Sequence, residues 1–140
     1  MDIQAPKEKV WNVLVDDKLT REWYAVFGEG IYAETDWKIG SKALFLGNDR
    51  SGLATRIIEN KPCEILSVEY EGIVNKGGIE DYDSDMAKMI KGGHETYRLS
   101  AHGAITNLSI SGDMSEDMYD SMASSWDKAM LKIKELAETT

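Results

Sequence analysis

At 140 residues the chain is long enough to bury one core, and its 42% hydrophobic and 29% charged residues are typical of a soluble globular domain. Its net charge of −9 disfavours nucleic acid or anionic lipid as a partner, because both require clustered lysine and arginine. No apolar run approaches the ~20 residues that span a bilayer, and the first residues do not resemble a secretory signal. We therefore expect one cytoplasmic domain over residues 1–140 without a membrane span, and the single cysteine, Cys63, agrees with a reducing compartment.

The first part of the chain predicts a short strand followed by two helices. Residues 1–4 are extended in pattern, and Pro6 predicts a helix start because its fixed φ suits a first turn. Apolar residues at helical spacing then predict helices at residues 6–15 and 17–25.

Most of the remaining chain alternates between apolar and polar residues, with turn residues such as glycine and asparagine between the alternating runs. The predicted strands are residues 31–35, 41–46, 53–60, 64–74, 95–101 and 108–112. Residues 79–93 are acidic and irregular, with a helical turn predicted at residues 86–90. Asp113 and Glu116 have the spacing of a capping box, and they predict the start of an amphipathic helix that ends near residue 138.

This order of elements predicts an α+β fold. Strands joined by short turns form an antiparallel sheet whose apolar face needs a cover, and only the C-terminal helix is long enough to provide one. We expect a curved antiparallel sheet of about six to seven strands wrapped around that helix, with two short helices after the first strand.

The same residues resemble a known superfamily over nearly the whole chain. Its members open with an Ile-x-Ala-Pro-x-x-x-Val-Trp segment, which Ile3, Ala5, Pro6, Val10 and Trp11 match here. Further matches follow in order, at Leu19, Trp23, Trp37, Gly40, Gly52, Pro62, Leu66, Thr96, Leu99, Thr106, Leu108, Trp126, Leu131 and Leu136. The chain therefore resembles the START-like superfamily, also called SRPBCC or helix-grip. It is most similar to the subgroup of the activator of the heat-shock-protein-ninety ATPase.

The resemblance implies the helix-grip fold but leaves three functions open, since members include lipid carriers, co-chaperone domains and cyclases. The first is non-enzymatic binding of a small hydrophobic or amphipathic ligand between sheet and helix. The second is an interaction module that modulates a heat-shock chaperone ATPase in the stress response, with acidic residues 80–85 and 116–120 steering a basic partner. The third is a polyketide-cyclase-like enzyme.

The N-terminus departs from the family pattern. Members begin with a strand of about eight residues before the Ala-Pro step, and an uncovered sheet edge invites pairing with another chain. Here only residues 1–4 precede that step. We therefore expect a native chain that begins further upstream, or an exposed edge that supports a homodimer.

Aromatic and methionine side chains carry the strongest indication of a binding site. Seven methionines and four tryptophans exceed what a compact core needs, and methionine is common at adaptable apolar binding surfaces. Plain core packing remains the alternative explanation. The predicted ligand-binding walls are Trp23, Tyr24, Phe27, Phe45, Tyr70, Tyr97, Met122, Trp126 and Met130.

The sequence predicts no catalytic residue, metal site or cofactor. On one strand, His94 and His102 would be too far apart to share a metal, and residues 81–85 lack the glycine and glutamate that complete a calcium loop. Cys63 has no basic neighbour in sequence that would lower its pKa. For acid–base chemistry the inward pattern offers only tyrosines, helped by Arg56 if its strand turns that way, so an enzyme is the least supported of the three functions.

Overall fold

The computed structural model describes the backbone of residues 1–112 and 116–139, and the side chains of residues 1–112 and 124–139. Within these ranges the chain forms eight strands and four helices. In order they are β1 (Asp2–Ile3), α1 (Lys7–Val15), α2 (Asp17–Tyr24), β2 (Tyr32–Glu34), β3 (Lys42–Leu46), β4 (Gly52–Lys61), β5 (Ile65–Asn75), β6 (Ile79–Asp81), α3 (Asp85–Ile90), β7 (His94–His102), β8 (Ile105–Gly112) and α4 (Glu116–Thr139).

All strands belong to one antiparallel sheet, in the order β1-β8-β7-β5-β4-β3-β2, and β6 pairs with β5 outside this path. The pairing of β4 with β5 shifts register between Ala54 and Thr55, and again between Ile57 and Glu59. Such irregularities bend a strand and increase its twist. The bent sheet therefore has a concave face that can enclose space beneath it.

The helices and the sheet share one main core. Its largest fully buried side chains come from both layers, namely Ile3, Val10, Val13, Leu14, Trp23, Ile57, Leu66, Val68, Leu108 and Ile133. Helix α4 contacts both α1 and α2. The final turns of α4, with Ile133 and Ala137, are therefore fixed against α1 and the sheet, and they anchor the helix that lies across the concave face.

The predicted fold class is confirmed, with differences in detail. The sheet has eight strands instead of six or seven, because residues 79–81 form β6 within a segment predicted to be irregular. Backbone approaches closely there, since a Cβ added at Gly72 would lie 2.5 Å from the Asp81 carbonyl oxygen. Pro6 is the N-cap of α1, so the regular helix begins one residue later than predicted. The predicted cap at Asp113 lies outside the described residues.

Over the part of the chain that the structure describes, no helix is both long and apolar enough to cross a membrane.

Candidate functional site

A cavity of about 1100 Å³ lies between the concave face of the sheet and the helices. Its walls come from α2, α3, α4, five strands and the loops between them. Seven aromatic residues line it: Trp23, Tyr24, Phe27, Phe45, Tyr70, Tyr97 and Trp126. Ligand sites in proteins are concave, mostly apolar and several hundred cubic ångströms in volume. The cavity therefore has the size and lining of a small-molecule site.

Except for Tyr70, the aromatic rings of the lining contact one another in a continuous series. Tyr24 lies edge-to-face against Trp23 at a centroid distance of 4.4 Å and against Phe45 at 5.9 Å. Trp23 continues the series to Tyr97 at 6.4 Å, and Tyr97 lies 6.5 Å from Trp126. Aromatic pairs in such arrangements stabilise each other by about 0.5–1.5 kcal/mol beyond their burial. The wall is therefore preformed.

Phe27 completes this wall. Its ring lies edge-to-face against Trp126, at a centroid distance of 4.8 Å, and it too faces the cavity. This contact joins the loop after α2 to α4.

Helix α2 owes its position to two local features of the sequence. Asp16 is its N-cap, and the Asp16 carboxylate accepts a hydrogen bond from the Lys18 N–H at 3.0 Å. The buried Trp23 donates its Nε1–H to the Val13 carbonyl oxygen at 2.8 Å, which ties α2 to α1. Trp23 and Tyr24 therefore face the cavity from a helix that is held at both ends.

A single carboxyl group, that of Glu95 on β7, lies deep in the cavity. Its two oxygens each accept a hydrogen bond, one from the Tyr97 hydroxyl at 2.7 Å and one from the Tyr70 hydroxyl at 3.1 Å. Glu95 is half-buried because it borders the cavity, and the surrounding protein still desolvates its carboxyl group. Glu95, Tyr70 and Tyr97 thus form a polar cluster within an apolar wall.

Burial sets the protonation equilibria of this cluster. Desolvation raises the pKa of Glu95, and the two tyrosine hydrogen bonds only partly oppose this effect. Desolvation and the nearby Glu95 carboxylate also raise the pKa values of Tyr24, Tyr70 and Tyr97. The three tyrosines therefore remain neutral at physiological pH, and burial favours the protonated form of Glu95 more than water would.

The charged residues of the cavity lining, among the described residues, are all acidic. Glu95 lies inside the cavity. Glu29 and Asp49 lie on loops at its rim. Arg50 is adjacent in sequence to Asp49, but its guanidinium donates to the Tyr32 hydroxyl and pairs with Glu34 outside the lining. The cavity therefore carries a negative potential, in a protein that is already acidic.

The rim of the cavity consists of turns and a short helix. Gly52, the first residue of β4, lies at this rim, and only glycine fits there because an added Cβ would lie 1.8 Å from the Phe45 carbonyl oxygen. Helix α3 contributes Met89 and Ile90. Backbone hydrogen bonds of Tyr70 with Gly92 and Gly93, at 2.9 and 2.8 Å, fasten the end of α3 to β5.

The structure brings together most of the residues predicted as ligand-binding walls. Seven of the nine face the cavity: Trp23, Tyr24, Phe27, Phe45, Tyr70, Tyr97 and Trp126. Met130 does not line the cavity, because it lies one helical turn beyond Trp126, where α4 packs against the solid core. Met122 belongs to α4, but its side chain is outside the described residues.

Sequence reasoning missed Glu95 and misplaced Arg56. Glu95 has the same strand parity as Tyr97, two residues later, so alternation could have placed it inward. The predicted strand 95–101 includes Glu95, but only Tyr97 and Leu99 were expected on its inward face. Arg56 lies on the outer face, where it pairs with Glu71 at 3.1 Å and donates to the Gly40 carbonyl oxygen. The expectation that Arg56 could assist the tyrosines is therefore wrong.

The two histidines lie at opposite ends of β7. His94 is half-exposed and 3.8 Å from Glu69, whereas His102 lies close to Ser100. Cys63 has a raised pKa, because partial burial and the nearby Glu8 disfavour its thiolate. Within the described ranges, no group of three or more histidine, cysteine or acidic residues could hold a metal ion.

Comparison with known proteins identifies the fold. No family model and no curated protein matches the sequence. Among solved structures, CalU16 from Micromonospora echinospora is 18% identical with a TM-score of 0.69, over 99% of this chain and 73% of that one. Protein CV1439 from Chromobacterium violaceum is 18% identical with a TM-score of 0.70, over 100% and 96% of the two chains.

A third similar structure is the Aha1 dimer from Colwellia psychrerythraea, which is 17% identical with a TM-score of 0.68, over 99% of this chain and 92% of that one. At these identities the likeness concerns the fold alone. The chain therefore shares the helix-grip fold of these structures.

Proposed function

We propose that this protein binds a small apolar or amphipathic molecule in the cavity between the sheet and α4. The observation that carries this proposal is the cavity itself, about 1100 Å³ in volume and lined by aromatic side chains. An interior of this kind costs stability when it is empty, because its walls lose the van der Waals contacts of a filled core. A protein that keeps such a cavity needs an occupant to recover those contacts.

The arrangement favours reversible binding over simple packing. The cavity opens at a rim made of turns and α3, so a ligand can enter without unfolding of the core. Its aromatic wall is preformed, which reduces the ordering cost of binding. The predicted walls Met122 and Met130 are not required for this proposal.

The proposal is tested with a variant that fills the cavity. Leu53 on β4 lines the cavity, and Leu53→Trp adds an indole to that space. We expect bound small molecules in native mass spectra of the wild-type protein purified from cells, and their loss in Leu53→Trp. Binding of apolar probes, followed through the fluorescence of Trp23 and Trp126, should weaken by about tenfold or more in the variant.

Leu131→Trp is the matched control, since it makes the same substitution at a position on α4 that is 63% exposed. This control should bind probes as the wild-type protein does. Spectra without any adduct, together with probes that fail to bind the wild-type protein, would contradict the proposal and leave core packing as the explanation.

A second candidate is an interaction module of the heat-shock-ATPase activator subgroup. Its support is the ordered series of matching residues from Ile3 to Leu136 and the likeness to the Aha1 dimer. Within the acidic segment proposed to steer a partner, Glu80 is already paired with Lys42 at 2.6 Å. The candidate predicts a change in chaperone ATPase rate when the protein is added, and an unchanged rate at saturating protein would contradict it.

Acid–base catalysis has one observation in its favour, the Glu95 carboxyl group with its raised pKa inside a cavity. A substrate screen tests this candidate. If the wild-type protein turns over a substrate and Glu95→Gln does not, the result supports an enzyme. If Glu95→Gln is equally active, Glu95 is excluded as the acid or base.

A further inference from the structure

We infer, resting on the proposed function, that the ligand is an amphipathic amine whose cationic group pairs with Glu95 in the cavity while its apolar part contacts the aromatic wall. The inference concerns the chemical class of the ligand, and it begins with the charge of the site. Every charged residue in the described lining is a carboxylate, namely Glu29, Asp49 and Glu95. A cavity with charges of one sign concentrates ions of the opposite sign.

Glu95 lacks a cationic partner within the protein. The interactions that shift its protonation equilibrium are burial and the hydrogen bonds from Tyr97 and Tyr70, with no lysine, arginine or histidine among them. Its neighbour His94 lies instead at 3.8 Å from Glu69. A buried carboxylate without a counter-ion is costly, so a cation that enters the cavity offsets this cost, less the free energy of its own desolvation.

The undescribed side chains cannot supply this missing charge. The side chains of residues 113–123 are not described, but the sequence of this segment contains no lysine, arginine or histidine. Four of them are acidic: Asp113, Glu116, Asp117 and Asp120. The absence of a protein cation therefore does not depend on where those side chains lie.

Glu95 also retains the hydrogen-bonding capacity that an ammonium group needs. A carboxylate can accept about four hydrogen bonds, and the tyrosines occupy one on each oxygen. An ammonium group carries three donors. Trp23 and Trp126 also line the cavity, and the face of an indole ring attracts cations. A fatty-acid carboxylate would meet repulsion at the same place.

The experiment compares three probes of equal chain length, decylamine, decanol and decanoate, by titration calorimetry at neutral pH. We expect decylamine to bind the wild-type protein at least about tenfold more tightly than decanoate, with decanol between them. In Glu95→Gln this preference should shrink to about twofold or less. Glu22→Gln, at an exposed position of α2 outside the lining, removes the same charge and should keep the wild-type preference.

Two outcomes would overturn the inference alone: decanoate binding to the wild-type protein as tightly as decylamine, or the full amine preference persisting in Glu95→Gln. Failure of all three probes to bind would instead contradict the proposed function, and the inference with it. The wild-type comparison is decisive even if Glu95→Gln folds poorly, since it uses no variant.

Discussion

At the scale of single residues, Glu95 is the most unusual side chain described. Charged side chains are rarely buried without an oppositely charged partner, because water solvates them far better than protein does. Here two tyrosine hydroxyls replace only part of that solvation, and the pKa of Glu95 rises. Ionised Glu95 therefore lowers the free energy of unfolding, which is common for residues of binding or catalytic sites.

The raised pKa predicts how stability depends on pH. The folded protein holds the Glu95 proton more tightly than the unfolded chain does. Protonated Glu95 therefore adds to the free energy of unfolding, and this stabilisation is fully present at pH values below the ordinary carboxyl pKa. It is lost as pH rises through the raised pKa. As pH rises above about 4, the ordinary carboxyl range, the free energy of unfolding of the wild-type protein should fall relative to that of Glu95→Gln, which has no proton to lose.

Urea denaturation at several pH values measures this difference. Glu22→Gln serves as the control, since it removes the same charge from an exposed position of α2. Parallel curves for the wild-type protein and Glu95→Gln would show that Glu95 titrates in the folded state as it does in the unfolded chain.

At the scale of elements, helix α2 links local sequence to the cavity. The Asp16 cap stabilises the first turn of the helix, whose last turn presents Trp23 and Tyr24 to the cavity. The α2 segment is only eight residues long, so it depends on its cap and its packing more than on intrinsic propensity.

Asp16→Ala should therefore lower the free energy of unfolding by about 0.5–2 kcal/mol, because the Lys18 N–H loses its acceptor. Asp16→Asn should keep most of the stability, since an amide oxygen also accepts this hydrogen bond. Thermal or urea unfolding distinguishes the two variants. Equal losses in both would show that charge, and not capping, explains the contribution of Asp16.

At the scale of the whole molecule, the sheet has an incompletely covered edge. Strand β1 pairs with β8 only at Thr106 and Asn107, and Met1 adds hydrogen bonds with Leu108 at 2.8 and 2.9 Å. Backbone groups two residues apart in a strand point to the same side, so Ile110 directs its N–H to this edge. No described strand pairs with β8 there.

We expect two copies of the chain to pair through this edge at high concentration, as the sequence predicts for an exposed strand. Ile110→Pro removes the outward N–H and should shift the sedimentation coefficient to that of a monomer. Ile110→Val keeps the N–H and should sediment as the wild-type protein does. A wild-type protein that stays monomeric at all concentrations, or a proline variant that still dimerises, would contradict pairing through β8.

Most of the architecture could be predicted from local patterns. Two local signals predict the first two helices: Pro6 marks the start of α1, and the Asp16-Asp17 step marks the start of α2. Alternation around Tyr70 and Tyr97 predicts two central strands. These signals can be found in the sequence because helix caps and strand alternation involve only a few neighbouring residues. Seven of nine predicted wall residues share the cavity for a similar reason, since they are large aromatic residues on inward faces. Local order thus determined the fold class and the character of the walls.

Tertiary structure alone decided where the core ends and the cavity begins. Met130 and Trp126 share a helix and an apolar character, yet only Trp126 lines the cavity, because the bent sheet diverges from α4 near Trp126 and closes on it near Ile133. The same curvature gives Glu95 its desolvated environment and leaves Arg56 outside. Sequence patterns record which residues are apolar or charged, but desolvation depends on how distant segments surround a side chain.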